Sequence, residues 1–270
     1  MKPLPFKRFS IIGDSPAMKA LEERTQTAAA CGETVLLTGE RGVGKELIAK
    51  ALHRLSPYKG GPFITVDCAA MHTATAESAL FGHERGAFTG AVHRHIGLFE
   101  QANQGSAFLD EIALLPLEMQ GRFLRFLEER TIQRIGSTKP LQIRTRIIAA
   151  ANRDFIVEQQ AGRFLPDLFD RLNVIRLHVP PLCERGEDVI LLFHYFLRTS
   201  DGRLTAEGRR FLLGSRWPGN VRELRNLCKR IAVFYPEGPI DPVVLQSFSD
   251  ENKEIQTYSS CQNYARIEFQ

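Results

Sequence analysis

The sequence predicts an α/β domain with a mostly parallel sheet flanked by helices, followed by a small C-terminal domain that is all-helical. Three observations carry that prediction. Short apolar runs alternate with helix-period segments through the first part of the chain, the pattern of a parallel sheet covered on both faces. A glycine-rich loop joins the first apolar run to a helix. Past Pro180 and Pro181 only helical periodicity is left, and a proline pair neither continues a central strand nor sits inside a helix.

The first strand is expected at 34–38, around Val35, Leu36 and Leu37, and its successors at 63–66, 107–109, 146–150 and 174–179. Helix 45–55 places Leu47, Ile48, Ala51 and Leu52 at helical spacing, and helix 117–130 gathers Leu117, Phe123, Leu124 and Leu127 on one face. These elements define a domain over 11–179. The second domain, 180–248, is expected to hold helices at 187–198, 205–213 and 221–234, the last opened by Asn220 as N-cap with Glu223 three positions on. From 249 to 270 the chain turns polar without a periodic apolar face and is expected to form a flexible tail.

Composition removes several classes. With 43% apolar and 24% charged residues the chain has enough core-forming side chains to fold, so disorder is excluded. No apolar run approaches the roughly 18 to 20 residues of a membrane span. Lys2, Lys7 and Arg8 are followed by no apolar stretch or cleavage site, so no signal peptide is expected and the chain should stay in the cytoplasm. Cys31, Cys68, Cys183, Cys228 and Cys261 are odd in number and widely spaced, which argues against a disulfide framework or a zinc site. The net charge of +4 is spread along the chain and by itself names no nucleic-acid partner.

Gly39, Glu40, Arg41, Gly42, Val43, Gly44, Lys45 and Glu46 follow the first strand and open a helix. In that setting backbone N–H groups and the helix amino end cradle phosphates while Lys45 meets the β and γ oxygens. Glu46 stands where Ser or Thr generally holds Mg²⁺, so the metal has to rely on another carboxylate. The third apolar run ends in Asp110 and Glu111. Asp110 is expected to hold Mg²⁺ or its water, and Glu111 to polarise the water that attacks the γ-phosphate. The second acid points to hydrolysis beyond binding. Between these motifs, Gly86 and Gly90 bracket Ala87, Phe88 and Thr89, with Ala91 following. Two glycines let the backbone reverse and place Phe88 and Thr89 at a loop tip, against the competing reading of a phenylalanine buried in a hairpin.

The run Gly86-Ala-Phe-Thr-Gly-Ala91 resembles the signature loop of the AAA+ activators of sigma-54 RNA polymerase, the bacterial enhancer-binding proteins, a family that includes the phage-shock activator. Other similar motifs follow in the family's order across 11–235. They are Gly39 to Glu46, Phe81-Gly-His-Glu84, Leu109-Asp-Glu-Ile112, Asp167-Leu-Phe-Asp-Arg-Leu172 and Trp217-Pro-Gly-Asn-Val-Arg-Glu-Leu224. Glu46 is itself usual there. The resemblance implies a P-loop AAA+ domain with a helical lid domain, assembled into a homo-oligomeric ring, usually a hexamer, with ATP and Mg²⁺ between subunits. It implies that hydrolysis moves the loop at 86–91 against the sigma-54 RNA polymerase holoenzyme and converts the closed promoter complex to the open one. Asn152 matches the sensor of the γ-phosphate, Arg222 the lid arginine that reaches the nucleotide, and Arg171 an arginine finger offered to the neighbouring subunit.

Three departures accompany the resemblance. Leu165 stands where the family commonly has the first of two interface arginines, with Arg163 close by. Asp67 stands where the family usually has Asn, and an acid there is expected to face Glu111 and disturb its switching. Neither the family's helix-turn-helix nor its sensory domain fits the residues before Ile11 or after Phe248, so specific DNA binding by this chain is not expected. An ATP-driven remodeller is the first reading. A nucleotide-gated regulatory scaffold that binds ATP but hydrolyses it poorly is the alternative that Leu165 and Asp67 favour.

Overall fold

The computed structural model describes residues 5–198 and 202–249. They divide into two compact units, one of residues up to 11 and 18–180, the other of residues 12–17 and the described chain from 181.

Five parallel strands form the sheet of the first unit: β1 (Val35–Thr38), β2 (Phe63–Asp67), β3 (Ser106–Asp110), β4 (Arg146–Ala151) and β5 (Ile175–His178). Their spatial order is β2-β3-β4-β1-β5. Each lies where an apolar run predicted it. The three central strands, β3, β4 and β1, are buried on both faces, so their runs are continuous and still split by parity. Leu36, Ala107, Leu109, Ile147 and Ala149 enter one core cluster, whereas Val35, Leu37, Phe108, Ile148 and Ala150 enter the other. Helices α1 (Pro16–Cys31) and α2 (Lys45–Arg54) cover the second cluster. Helices α3 (Thr73–Phe81), α4 (Leu117–Glu129), α5 (Phe155–Gln160) and α6 (Pro166–Leu172) cover the first.

Helix α1 escaped the periodicity reading because its buried face carries the polar side chains of Glu22 and Thr25 among its apolar ones. Glu22 accepts the Phe6 N–H at 3.1 Å, and the Thr25 hydroxyl donates to the Leu21 carbonyl at 2.7 Å. The face assigned to α4 needs one correction: Phe123, Phe126 and Leu127 are buried, but Leu117, at the helix's first position, is exposed.

Arg146, at the start of β4, is only 1% exposed and has no carboxylate in its hydrogen-bond set. Its guanidinium donates to the carbonyls of Ala28 at 2.6 Å, Ala29 at 3.1 Å, Glu33 at 3.2 Å and Leu52 at 3.4 Å. These are carbonyls at or near the carboxyl ends of α1 and α2, where the helix dipole favours a cation. Arg146 therefore pins both helices to the sheet at the edge opposite the phosphate loop.

The second unit is built of helices α7 (Asp188–Leu197), α8 (Ala206–Gly214) and α9 (Asn220–Phe234), with a further helical segment at 242–249. Phe193, Leu212, Trp217, Leu224, Leu227 and Ile231 form its core. Thr205 caps α8 by accepting the Gly208 N–H at 3.0 Å. The cap of α9 differs from expectation. Gly219 is its N-cap, and Glu223 reaches back to accept the Gly219 N–H at 2.7 Å. Asn220 instead sits at φ 51 with its side chain buried, accepting the Leu182 N–H at 2.7 Å, because a tertiary donor outcompetes the local cap. The tail expected beyond 249 lies outside the described residues. Cys31, Cys68, Cys183 and Cys228 are free thiols, and Cys261 lies outside the described residues. Among the described residues no helix is long and apolar enough to cross a membrane.

Candidate active site

Parallel strands put all their carboxyl ends on one edge, where ligands of open α/β sheets bind. There β1 gives way to the loop 39–44 and then α2. Gly39, Gly42 and Gly44 have φ 148, 81 and 104, a region closed to most side chains. A Cβ on Gly39 would also come within 2.6 Å of the Val179 carbonyl oxygen. Glu40 and Arg41 are exposed, while Val43 is buried and anchors the loop to the core. Lys45 is buried at the start of α2, and its Nζ donates to the carbonyls of Gly39 at 2.9 Å and Glu40 at 3.1 Å. The Glu46 side chain pairs with Lys50 at 2.6 Å, one turn along the helix. Its carboxylate is thus engaged along the helix, and its backbone N–H lies at the helix amino end.

Asp110 ends β3, beside β4, which lies beside β1, and Asn152 follows directly on β4. The fold therefore brings Lys45, Asp110, Glu111 and Asn152 to one edge. Burial pushes the Asp110 carboxyl above the usual carboxylate range, Lys45 opposes this, and Asp67 and Glu46 add to it. Burial likewise pushes Glu111 up, with Asp110 adding to the shift, while Lys45, a hydrogen bond from the Asn152 backbone and Arg41 pull it down. Glu111 adopts a left-handed backbone, φ 52 and ψ 46, and its Oε2 is buried without a protein hydrogen-bond partner. Non-glycine residues held in this region are costly and cluster at functional sites. Asp67 is placed differently from expectation. It is exposed, and its Oδ1 accepts the Ala69 N–H at 3.0 Å, so its side chain caps a short turn while its charge acts on the adjoining Asp110. Cys68 is buried beside Asp67, Asp110 and Glu111, and burial with these charges pushes its thiol upward, which leaves it an unreactive core residue.

The segment 86–91 stands on a separate arm. Gly82–His83 and His95–Ile96 pair antiparallel at its base. Gly86 and Gly90 have φ 80 and 99, and the loop closes on itself with the Gly86 N–H donating to the Ala91 carbonyl at 2.8 Å. Phe88 is 46% exposed and lies edge-on to the His83 ring at 4.9 Å; Thr89 and Gly90 are exposed, Ala87 half-buried and Ala91 buried. Phe88 is a tip residue and not a core one. At the base, Arg134 is nearly buried and binds Glu84 at 2.6 Å and Glu100 through two nitrogens at 2.6 and 2.9 Å. Glu84 belongs to a motif visible in the sequence, whereas Arg134 belongs to none.

Arg171, in the last turn of α6, has a side chain 60% exposed and pairs with Glu128 at 3.2 Å. Arg163, close to the arginine absent at 165, is ion-paired. Its Nε donates to Glu158 at 2.7 Å, and Glu158 also binds Arg153 at 3.1 Å. Leu165 is half-buried against the core. Arg222 is exposed in the first turn of α9, in the second unit.

A five-stranded parallel sheet with this strand order, a phosphate loop after β1, paired acids after β3 and a helical second unit define a P-loop protein of the AAA+ class. The family profile described as the sigma-54 interaction domain matches residues 11–178, and that of the AAA+ ATPase lid domain matches 183–260. The chain belongs to the sigma-54 interaction domain family. It is 48% identical over 237 residues to the anaerobic nitric oxide reductase transcription regulator NorR of Salmonella heidelberg (strain SL476), covering 85% of this chain and 47% of that protein. Among solved structures it is similar to NtrX from Brucella abortus in complex with ADP, with a TM-score of 0.79 and 32% identity over 86% of this chain and 54% of that one. NtrX in complex with ATP gives a TM-score of 0.78 at 31% identity, over 86% of this chain and 53% of that one. The chain spans about half the length of the relatives it matches.

Proposed function

We propose that this chain is the ATP-hydrolysing module of a transcriptional activator, which acts on the sigma-54 RNA polymerase holoenzyme through the loop at 86–91 and converts the closed promoter complex to the open one. The observation that carries this reading is the gathering of Lys45, Asp110, Glu111 and Asn152 at one sheet edge, with Phe88 exposed on a separate arm. Gly39, Glu40, Arg41, Gly42, Val43, Gly44, Lys45 and Glu46 form the phosphate cradle, chiefly through backbone N–H groups. The acidic donors fit a hard, oxygen-seeking cation and its water: Asp110 is half-buried, and Glu111 offers a buried oxygen with no protein partner. Bound at Asp110, Mg²⁺ would neutralise charge on the phosphate oxygens. Glu111 orients and polarises the attacking water, and its raised proton affinity suits a base. Asn152 senses the terminal phosphate, and Arg222 carries the lid role implied by the motif at 217–224. Arg171 completes the site of a neighbouring copy in a homo-oligomeric, hexameric ring in the cytoplasm. Membership of the family does not favour the scaffold alternative.

ATP turnover measured against protein concentration tests this reading. Turnover per subunit should rise with assembly, Lys45→Ala should lose binding of a fluorescent ATP analogue, and Glu111→Gln should keep binding while losing turnover. Unchanged affinity in Lys45→Ala would sink the assignment of the loop. Turnover independent of concentration down to isolated subunits would sink the shared site.

A further inference from the structure

Gln120 lies on the inner side of α4 with no exposed surface, and its amide makes three hydrogen bonds. Nε2 donates to the carbonyls of Leu115 at 2.8 Å and Arg163 at 2.9 Å, and Oε1 accepts the Leu165 N–H at 2.9 Å. A buried amide is costly unless its polar atoms are matched, as they are here. Two of the bonds go to residues flanking Phe164, at the entry to α6. Leu165 is the N-cap of α6, and Pro166 at its first position has no N–H to give. Gln120 thus sets the point at which α6 begins.

Helix α6 has seven residues, so a shift at its start is carried to Arg171 in its last turn. Leu168 and Leu172 face the core and Arg171 faces out. Glu128, which pairs with Arg171, lies about two turns beyond Gln120 on the same helix. Helix α4 therefore holds α6 at both ends, at one by a buried neutral clamp and at the other by an exposed ion pair of small worth. The second contact is one that an incoming anion could replace; the first is not.

We propose that Gln120 is a positioning residue for catalysis across the subunit boundary: it fixes where Arg171 is presented to the nucleotide of a neighbouring copy and leaves the nucleotide site of its own subunit intact. The proposal rests on the function proposed above, in which Arg171 acts on a neighbour.

Complementation between variants of the full chain tests it. Gln120→Leu removes all three bonds at similar volume. Gln120→Glu keeps an acceptor for the Leu165 N–H and carries the test if the leucine variant does not fold. Each should bind an ATP analogue as the parent does, and Gln120→Leu should turn over about 100-fold more slowly, the scale of a small misplacement of a reacting group. Mixed with Lys45→Ala protein, which has an empty nucleotide site but an intact Arg171, the Gln120 variants should regain turnover, as should a control mixture of Arg171→Ala with Lys45→Ala. Recovery in the control alone overturns the proposal, because Gln120 then serves its own subunit only. Parent-like turnover in both variants, or loss of the folded state in both, overturns it as well. Recovery in neither mixture refutes the shared site, and the positioning role falls with it.

Discussion

Neutralising Asp67 should lower the pH at which Asp110 takes up a proton. Asp67 and Asp110 are in-register neighbours on β2 and β3, and Asp67 is one of the charges that hold the Asp110 carboxyl above its ordinary range. Neighbouring strands lie about 4.8 Å apart, which sets the scale of the separation. Because Asp67 is exposed, water screens the pair. Two like charges about one strand spacing apart repel by about 0.9 kcal/mol in water, so the effect is modest. Asp67→Asn is a clean perturbation, since asparagine can still accept the Ala69 N–H and keep the cap. The Asp110 charge also raises the neighbouring Glu111, so the measurement belongs in a Glu111→Gln background, where that titrating neighbour is gone and bound nucleotide is not consumed. Binding of a Mg²⁺·ATP analogue would be followed from neutral to acid pH with and without Asp67→Asn. In the role proposed for Asp110, binding needs its ionised form and is lost as pH falls through its pKa; removing a like charge lowers that pKa, so the loss should move to lower pH. A midpoint that stays in place, or moves up, refutes the electrostatic account.

Phe88→Ala should leave ATP turnover near the parent value and abolish sigma-54 binding, because an exposed tip aromatic offers partner surface and no catalytic group; aggregation or loss of turnover would return Phe88 to the core. Arg146→Leu should lower stability by about 3 kcal/mol or more, since several buried carbonyls lose a charged donor at once. Urea unfolding measures it, and a loss under about 1 kcal/mol would show that those carbonyls find other donors.

The strands, the phosphate loop, the acid pair and the loop at 86–91 were legible in the sequence because each is written locally. A strand buried on both faces is an unbroken apolar run such as Ile147 to Ala151, and a loop needing left-handed backbone announces itself with Gly39, Gly42 and Gly44. What the tertiary structure alone decided are the partners of polar side chains. Asp67 turned to Ala69 and acted on Asp110, Asn220 left its own helix for Leu182, and Arg163 was taken by Glu158. Gln120 bonds across 43 and 45 residues of sequence, and Arg146 across 94 to 118. A hydrogen bond over such separations leaves no period and no spacing to read, because its geometry exists only once the packed sheet and helices have brought donor and acceptor within 3 Å or so of each other.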